Sequence, residues 1–81
     1  MVKKWDKGPR RTLIDEQGRE YTIIMLKIPN DYIYYANVYR SKNGKTYGNW
    51  TRVGHYTTIS NAIRGLRRLY KDRKFEIVKR S

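Results

Sequence analysis

The stretch GHYTTISNAIRGLRRLYKDRK, Gly54 to Lys74, decides the fold. It starts as the end of a strand and runs straight into a helix. Thr57 or Thr58 is the N-cap, its hydroxyl accepting from an otherwise free backbone N–H of the first turn. Ile59, Ala62, Ile63, Leu66 and Tyr70 recur at i, i+3, i+4 spacing and form an apolar stripe that docks on a sheet. Gly65 interrupts this helix at a cost of roughly 0.5–1 kcal/mol against alanine. Close approach to the sheet, or to a partner's backbone, is its most economical use. The outer side is the unusual part. Arg64, Arg67, Arg68 and Lys71 follow at i, i+3, i+4, i+7 and project away from the Ile63/Leu66 stripe, with only Asp72 close by. Cations this close repel by a few tenths of a kcal/mol per pair. Such a ridge is either a solvated face helped by cations near the helix C-terminus or a track for phosphates. Solvated faces normally alternate in sign, which favours the phosphate track.

Upstream, the periodicity becomes that of strands. Thr12-Leu-Ile, the polar segment Asp15–Glu20 containing Gly18, and Tyr21–Ile28 form a hairpin whose second strand is rich in β-branched residues. Pro29-Asn30-Asp31 ends it. In DYIYYANVYR, Asp31 to Arg40, alternation sends Tyr32, Tyr34, Ala36 and Val38 to one face and Ile33, Tyr35, Asn37 and Tyr39 to the other. Asn43-Gly44 is the strongest hairpin signal in the chain, because both residues tolerate the left-handed backbone of a tight primed turn. The return strand, about Lys45 to Tyr56 with an interruption at Gly48, carries Tyr47, Trp50 and Val53. Phe75-Glu-Ile-Val is a short last strand. Residues 1–11, MVKKWDKGPRR, hold five basic residues, a Gly-Pro break and no periodicity, and read as a flexible basic arm or an ordinary frayed terminus. Trp5 sits uneasily there, since a tryptophan usually packs on something. Residues 12–78 form one α+β domain, and 79–81 a basic tail. The expected fold is a small antiparallel sheet of three to five strands packed on one α-helix in the C-terminal half.

Charge narrows the function. Nineteen Lys and Arg against seven Asp and Glu give a net charge of +12 over 81 residues, which points to a polyanionic partner. The 14% aromatic content and the clear strand patterns argue against disorder of the middle segment. With no cysteine, neither a disulfide framework nor a thiolate zinc site can form. The longest apolar run, Tyr21 to Leu26, is too short to span a bilayer, and the N-terminus lacks a signal-peptide core. A cytoplasmic protein is the expectation. His55 is the only histidine, and Asp15, Glu16 and Glu20 flank a turn, where carboxylates serve solubility. No phosphate loop, dinucleotide fingerprint or nucleophile elbow occurs. The chain is therefore expected to be no enzyme, with no catalytic residues, metal or cofactor.

A second basic constellation lies in the tyrosine-rich hairpin. Tyr32, Tyr34, Tyr35, Tyr39, Tyr47 and Trp50 are interleaved with Arg40, Lys42, Lys45 and Arg52. A small sheet covered by one helix leaves one face free, and an aromatic, basic free face suits base stacking or groove contact. Tyr34 and Trp50 are better read as core, whereas Tyr35 and Tyr39 belong to the outward set.

Gly54, Tyr56, Thr58, Ala62 and Leu66, spaced Gly-x-Tyr-x-Thr-x-x-x-Ala-x-x-x-Leu after a strand, carry a resemblance. With the Tyr-rich strand and Gly-Lys turn before it, the segment from about Asp31 to Tyr70 is similar to a family of small uncharacterised bacteriophage proteins. It also resembles, more weakly, the three-stranded-sheet-plus-helix DNA-binding domains of tyrosine recombinases and plant ethylene-response factors. The latter resemblance implies a sheet that enters the major groove, braced from behind by the helix, with Arg40, Lys42, Lys45 and Arg52 as contacts. Those domains have a denser Arg-Gly-Trp pattern on their first strands. They lack both the arginine-loaded helix exterior and the N-terminal hairpin.

Residues and resemblance together lead to a small basic nucleic-acid-binding protein of phage or mobile-element type, DNA-directed rather than RNA-directed, in the cytoplasm of a bacterial host. Its contacts are expected at Arg64, Arg67, Arg68, Lys71, Arg40, Lys42, Lys45, Arg52, Tyr35 and Tyr39. The alternative is a phage-encoded inhibitor that covers an acidic or nucleic-acid-handling surface of a host protein, a form of host takeover.

Overall fold

Alternating strands with one oily side need a cover, and the amphipathic helix supplies it. The computed structural model describes residues 5–78. Five strands, β1 (Asp6–Asp15), β2 (Glu20–Lys27), β3 (Tyr34–Lys42), β4 (Lys45–Tyr56) and β5 (Phe75–Ile77), form one sheet in the order β4-β3-β2-β1-β5. Every neighbouring pair is antiparallel. The one helix among the described residues, α1 (Ile59–Leu69), carries the chain from β4 at one edge back to β5 at the other. Among the described residues no helix is long and apolar enough to cross a membrane.

Residues facing each other across antiparallel strands share a side of the sheet. One side presents Leu13, Tyr21, Ile23, Met25, Ala36 and Val38, which form the core with Ala62, Leu66 and Phe75. Burying each of the larger ones contributes about 1.5–3 kcal/mol. Ile59, Ile63, Tyr34, Val53, Tyr56 and Tyr70 pack around this centre. The helix begins at Thr58, whose hydroxyl accepts from the Asn61 N–H at 3.2 Å. It stops at Tyr70, whose N–H donates to Leu66 O. Tyr70 turns its ring onto Tyr21 and Phe75. Lys71 therefore falls beyond the cap and is not a fourth member of the helical ridge. Gly65 lies directly against Tyr56: a Cβ there would come within 2.6 Å of the ring's Cζ.

The Asn43-Gly44 turn is left-handed at both residues, with φ of 54° and 81°. Past it, β4 slips register with β3 opposite Val38–Arg40 and again opposite Ala36–Asn37. Each slip is a bulge that bends the strand and ends strict alternation. Gly48, at φ 70°, lies within the first.

Three expectations need correction. The chain is strand from Asp6 onward, not a loose arm, with Asp6 opposite Lys27 and Lys7 opposite Leu26. The period is hidden by a bulge between Lys7 and Arg10, where Pro9 sits on a part of β1 that β5 does not reach. Residues 1–4 of that arm and the tail at 79–81 lie outside the described residues. Second, β3 begins at Tyr34 instead of Asp31, because the Asp31 carboxylate accepts from the Tyr32 N–H at 2.8 Å and turns the chain first. Third, Asp15 is no solubility residue. Its side chain is buried and accepts from the N–H groups of Gln17 and Arg19, from Arg19 Nε at 2.7 Å and from the Tyr21 hydroxyl at 2.9 Å. Arg73 donates to that hydroxyl in turn, at 2.6 Å, tying the first turn to the segment after the helix. Burial pushes the Asp15 carboxyl up, but these donors outweigh it and hold it at about 2. Burial, then the bond to Asp15, pushes the Tyr21 hydroxyl up to about 12.

Candidate nucleic-acid interface

The side of the sheet that α1 does not cover is built from the other residues of each alternation. Directly opposed pairs place Lys7, Arg10, Thr12 and Ile14 from β1 there, with Glu20, Thr22, Ile24 and Leu26 from β2. β3 adds Tyr35, Asn37, Tyr39 and Ser41, and β4 adds Thr46, Arg52 and His55. Two aromatic stations stand on this face. At the first, Tyr35 meets Trp5 edge-on at 5.7 Å and His55 edge-on at 4.6 Å, and the Arg52 guanidinium lies 5.5 Å from its ring centre. At the second, the Tyr39 and Trp50 rings are tilted by 30° with centres 5.6 Å apart, and Arg10 lies 5.9 Å from the Tyr39 ring centre and donates to its hydroxyl at 2.6 Å. Tyr35 and Tyr39 are four residues apart on one strand. That places the stations about 13 Å apart, the rise of roughly four stacked bases.

The surface between and beside the rings is concave. Trp5, Leu26, Tyr35, Asn37 and Arg52 line a cleft with aromatic and apolar walls. The Asn37 amide has no hydrogen-bond partner among the described residues, so both its donor and its acceptor are available there. On the far side of Tyr39, Thr12, Thr22, Ser41 and Thr46 line a trough of hydroxyls together with Arg10, Arg11 and the Glu20 carboxylate. The Thr12 and Thr22 hydroxyls are 3.0 Å apart and bond to each other. Trp5 and Trp50 remain 46% and 57% exposed.

The expected contact residues separate into three places. Tyr35, Tyr39 and Arg52 share the open face. Lys42 and Lys45 oppose each other at the hairpin tip, next to Gly44 and Thr46 of the trough. Arg40 falls on the helix side, opposite Tyr21 and Tyr47, because it is one residue out of phase with Tyr39. It lies over the Tyr47 ring at 5.4 Å, and its buried Nε has no hydrogen-bond partner among the described residues. Arg64, Arg67 and Arg68 are exposed on α1, which covers the other side of the sheet; Arg64 and Arg68 line a groove with His55 at the β4 edge, Arg67 does not, and none makes an ion pair with another described residue. Helix ridge and open sheet therefore cannot press on one flat partner.

Asn37 shares the open face with Tyr35 and Tyr39, as the alternation of β3 predicts, whereas Trp5, Arg10 and His55 belong to the open face and were not expected there. Trp50, expected in the core, lies out beside Tyr39. Only Trp5 had a signal, its need for a packing partner, and Tyr35 is that partner. Bulges in β1 and β4 hid the others. Comparison of the chain with protein-family models, with curated proteins and with solved structures finds no match.

Proposed function

We propose that this chain is a small nucleic-acid-binding protein, DNA-directed and of phage or mobile-element type, that holds a single strand on the open face of its sheet. The observation that carries this reading is the pair of cation-flanked aromatic stations on a face that no element among the described residues covers. Base–aromatic stacking contributes about 1–3 kcal/mol per base and tolerates any sequence, since every base has a π-face. Arg10, Arg52 and Lys7 stand where phosphates alongside those bases would run. The net charge of +12 supports strong counterion release on binding. Paired strands would keep their bases stacked on each other and leave the indoles bare, which favours unpaired substrate.

Fluorescence anisotropy with labelled single-stranded DNA, single-stranded RNA and duplex DNA over a salt series tests the reading. Single-stranded DNA is expected to bind tightest, with log K falling about 0.7 per log[salt] for each phosphate contacted. Tyr39→Ala/Trp50→Ala is expected to cost at least tenfold in affinity, about 1.4 kcal/mol, while the melting temperature shifts little. No binding at low salt would sink the proposal. So would aromatic doubles that bind like the wild type. A chain acting instead as an inhibitor of a host protein would retain one stoichiometric protein partner from nuclease-treated lysate.

A further inference from the structure

His55 belongs to two surfaces at once. Its ring packs edge-on against Tyr35 on the open face, and it also lines a groove on the other side of β4. β4 is an edge strand, so no neighbouring strand separates the two. Ile33, His55 and Tyr56 form one wall of this groove, and Asn61, Arg64 and Arg68 of α1 form the other. Its lining contains no carboxylate. Arg64 and Arg68 are one helical turn apart on the same flank of α1, exposed, and without an ion-pair partner among the described residues. Arg67, although exposed, does not line the groove.

Two unpaired guanidinium groups one turn apart, beside a concave wall, match successive phosphates of a strand better than they match solvent. The stacking surface gives such a strand a start, His55 marks where it crosses the edge, and the groove receives it. We infer that a single strand held on the open face continues over the β4 edge at His55 and is gripped through its phosphodiester groups by Arg64 and Arg68. This rests on the open-face reading and extends it from a platform to a wrapped path. It also assigns the helix cations unequally, two to the ligand and Arg67 to solvent.

Oligonucleotide length separates the two ideas. Labelled oligo-dT of about four nucleotides reaches only the open face, and one of about twelve can wrap. Arg64→Ala/Arg68→Ala is expected to bind the short oligomer like the wild type. Its affinity for the long one should fall about tenfold, and the salt slope should become shallower by about 1.4, two phosphate contacts at 0.7 each. Arg67→Ala should change neither. Arg64→Gln/Arg68→Gln, which keeps the side-chain stems over the helix, must repeat the result with an unchanged melting temperature. If the double variant keeps the wild-type slope on the long oligomer, or if Arg67→Ala weakens binding as much, the wrapped path is wrong while the open face stands. Should the wild type bind neither oligomer, the open-face reading fails and this inference falls with it.

Discussion

At the residue scale, Asp15 joins the turn, the sheet and the segment after the helix. A lone buried carboxylate is costly, yet four donors surround this one, so it is its loss that destabilises. Its pKa is depressed from an ordinary 3.8 to about 2. The stabilisation is therefore complete above pH about 4 and is lost as pH falls towards 2, an amount on the order of 2 kcal/mol. Asp15→Asn is expected to lower stability at pH 7 by about that amount and to flatten the acid limb between pH 4 and 2. Urea denaturation across that range checks both. An acid limb as steep as the wild type's would mean the carboxylate is not held down. Sequence alone suggested a surface acid beside a turn. Four converging donors are legible only once Tyr21 and Arg19 are placed around it.

Individual elements show where glycine counts against its own propensity. Alanine at position 65 would raise intrinsic helix stability by about 0.8–1 kcal/mol. Its Cβ, however, would drive into Tyr56 and crowd Val53 Cγ1 at 3.1 Å. Displacing a ring that packs on the core outweighs the propensity gain, so Gly65→Ala is expected to destabilise by about 1 kcal/mol. In a Tyr56→Leu background the same change should become neutral or stabilising. Thermal unfolding of the four proteins forms a double-mutant cycle that reads this coupling directly. Stabilisation by Gly65→Ala in the wild-type background would show that the helix does not approach the sheet this closely. The glycine's purpose was legible in the sequence, since a blemish on an otherwise regular docking helix has few other uses. Tyr56 as its contact was not.

For the whole molecule, the excess of cations is distributed with little internal compensation. Among the described residues Asp6 pairs with Lys27 and Asp15 with Arg19, while Arg10 and Arg52 lie against the Tyr39 and Tyr35 rings. Both tryptophans of the chain, Trp5 and Trp50, stand at the two stations. Intrinsic fluorescence is thus a label-free report on the face alone. Titration with single-stranded DNA is expected to quench it, with recovery on adding salt, and Arg64→Ala/Arg68→Ala should leave the quench by a short oligomer unchanged. Binding seen by anisotropy without any change in tryptophan emission would place the ligand elsewhere.

The local parts of this protein were determined by its sequence. The helix's stripe and cap, the Asn43-Gly44 turn and the alternation through β3 each depend on residues within about four positions of one another, and the cationic excess on composition alone. The meeting of Trp5 with Tyr35, of Arg10 with Tyr39 and of His55 with both a ring and a groove was decided by tertiary structure alone. Those contacts depend on strand register across long separations and on bulges in β1 and β4. A slip of one residue at either bulge would send every later side chain to the opposite face.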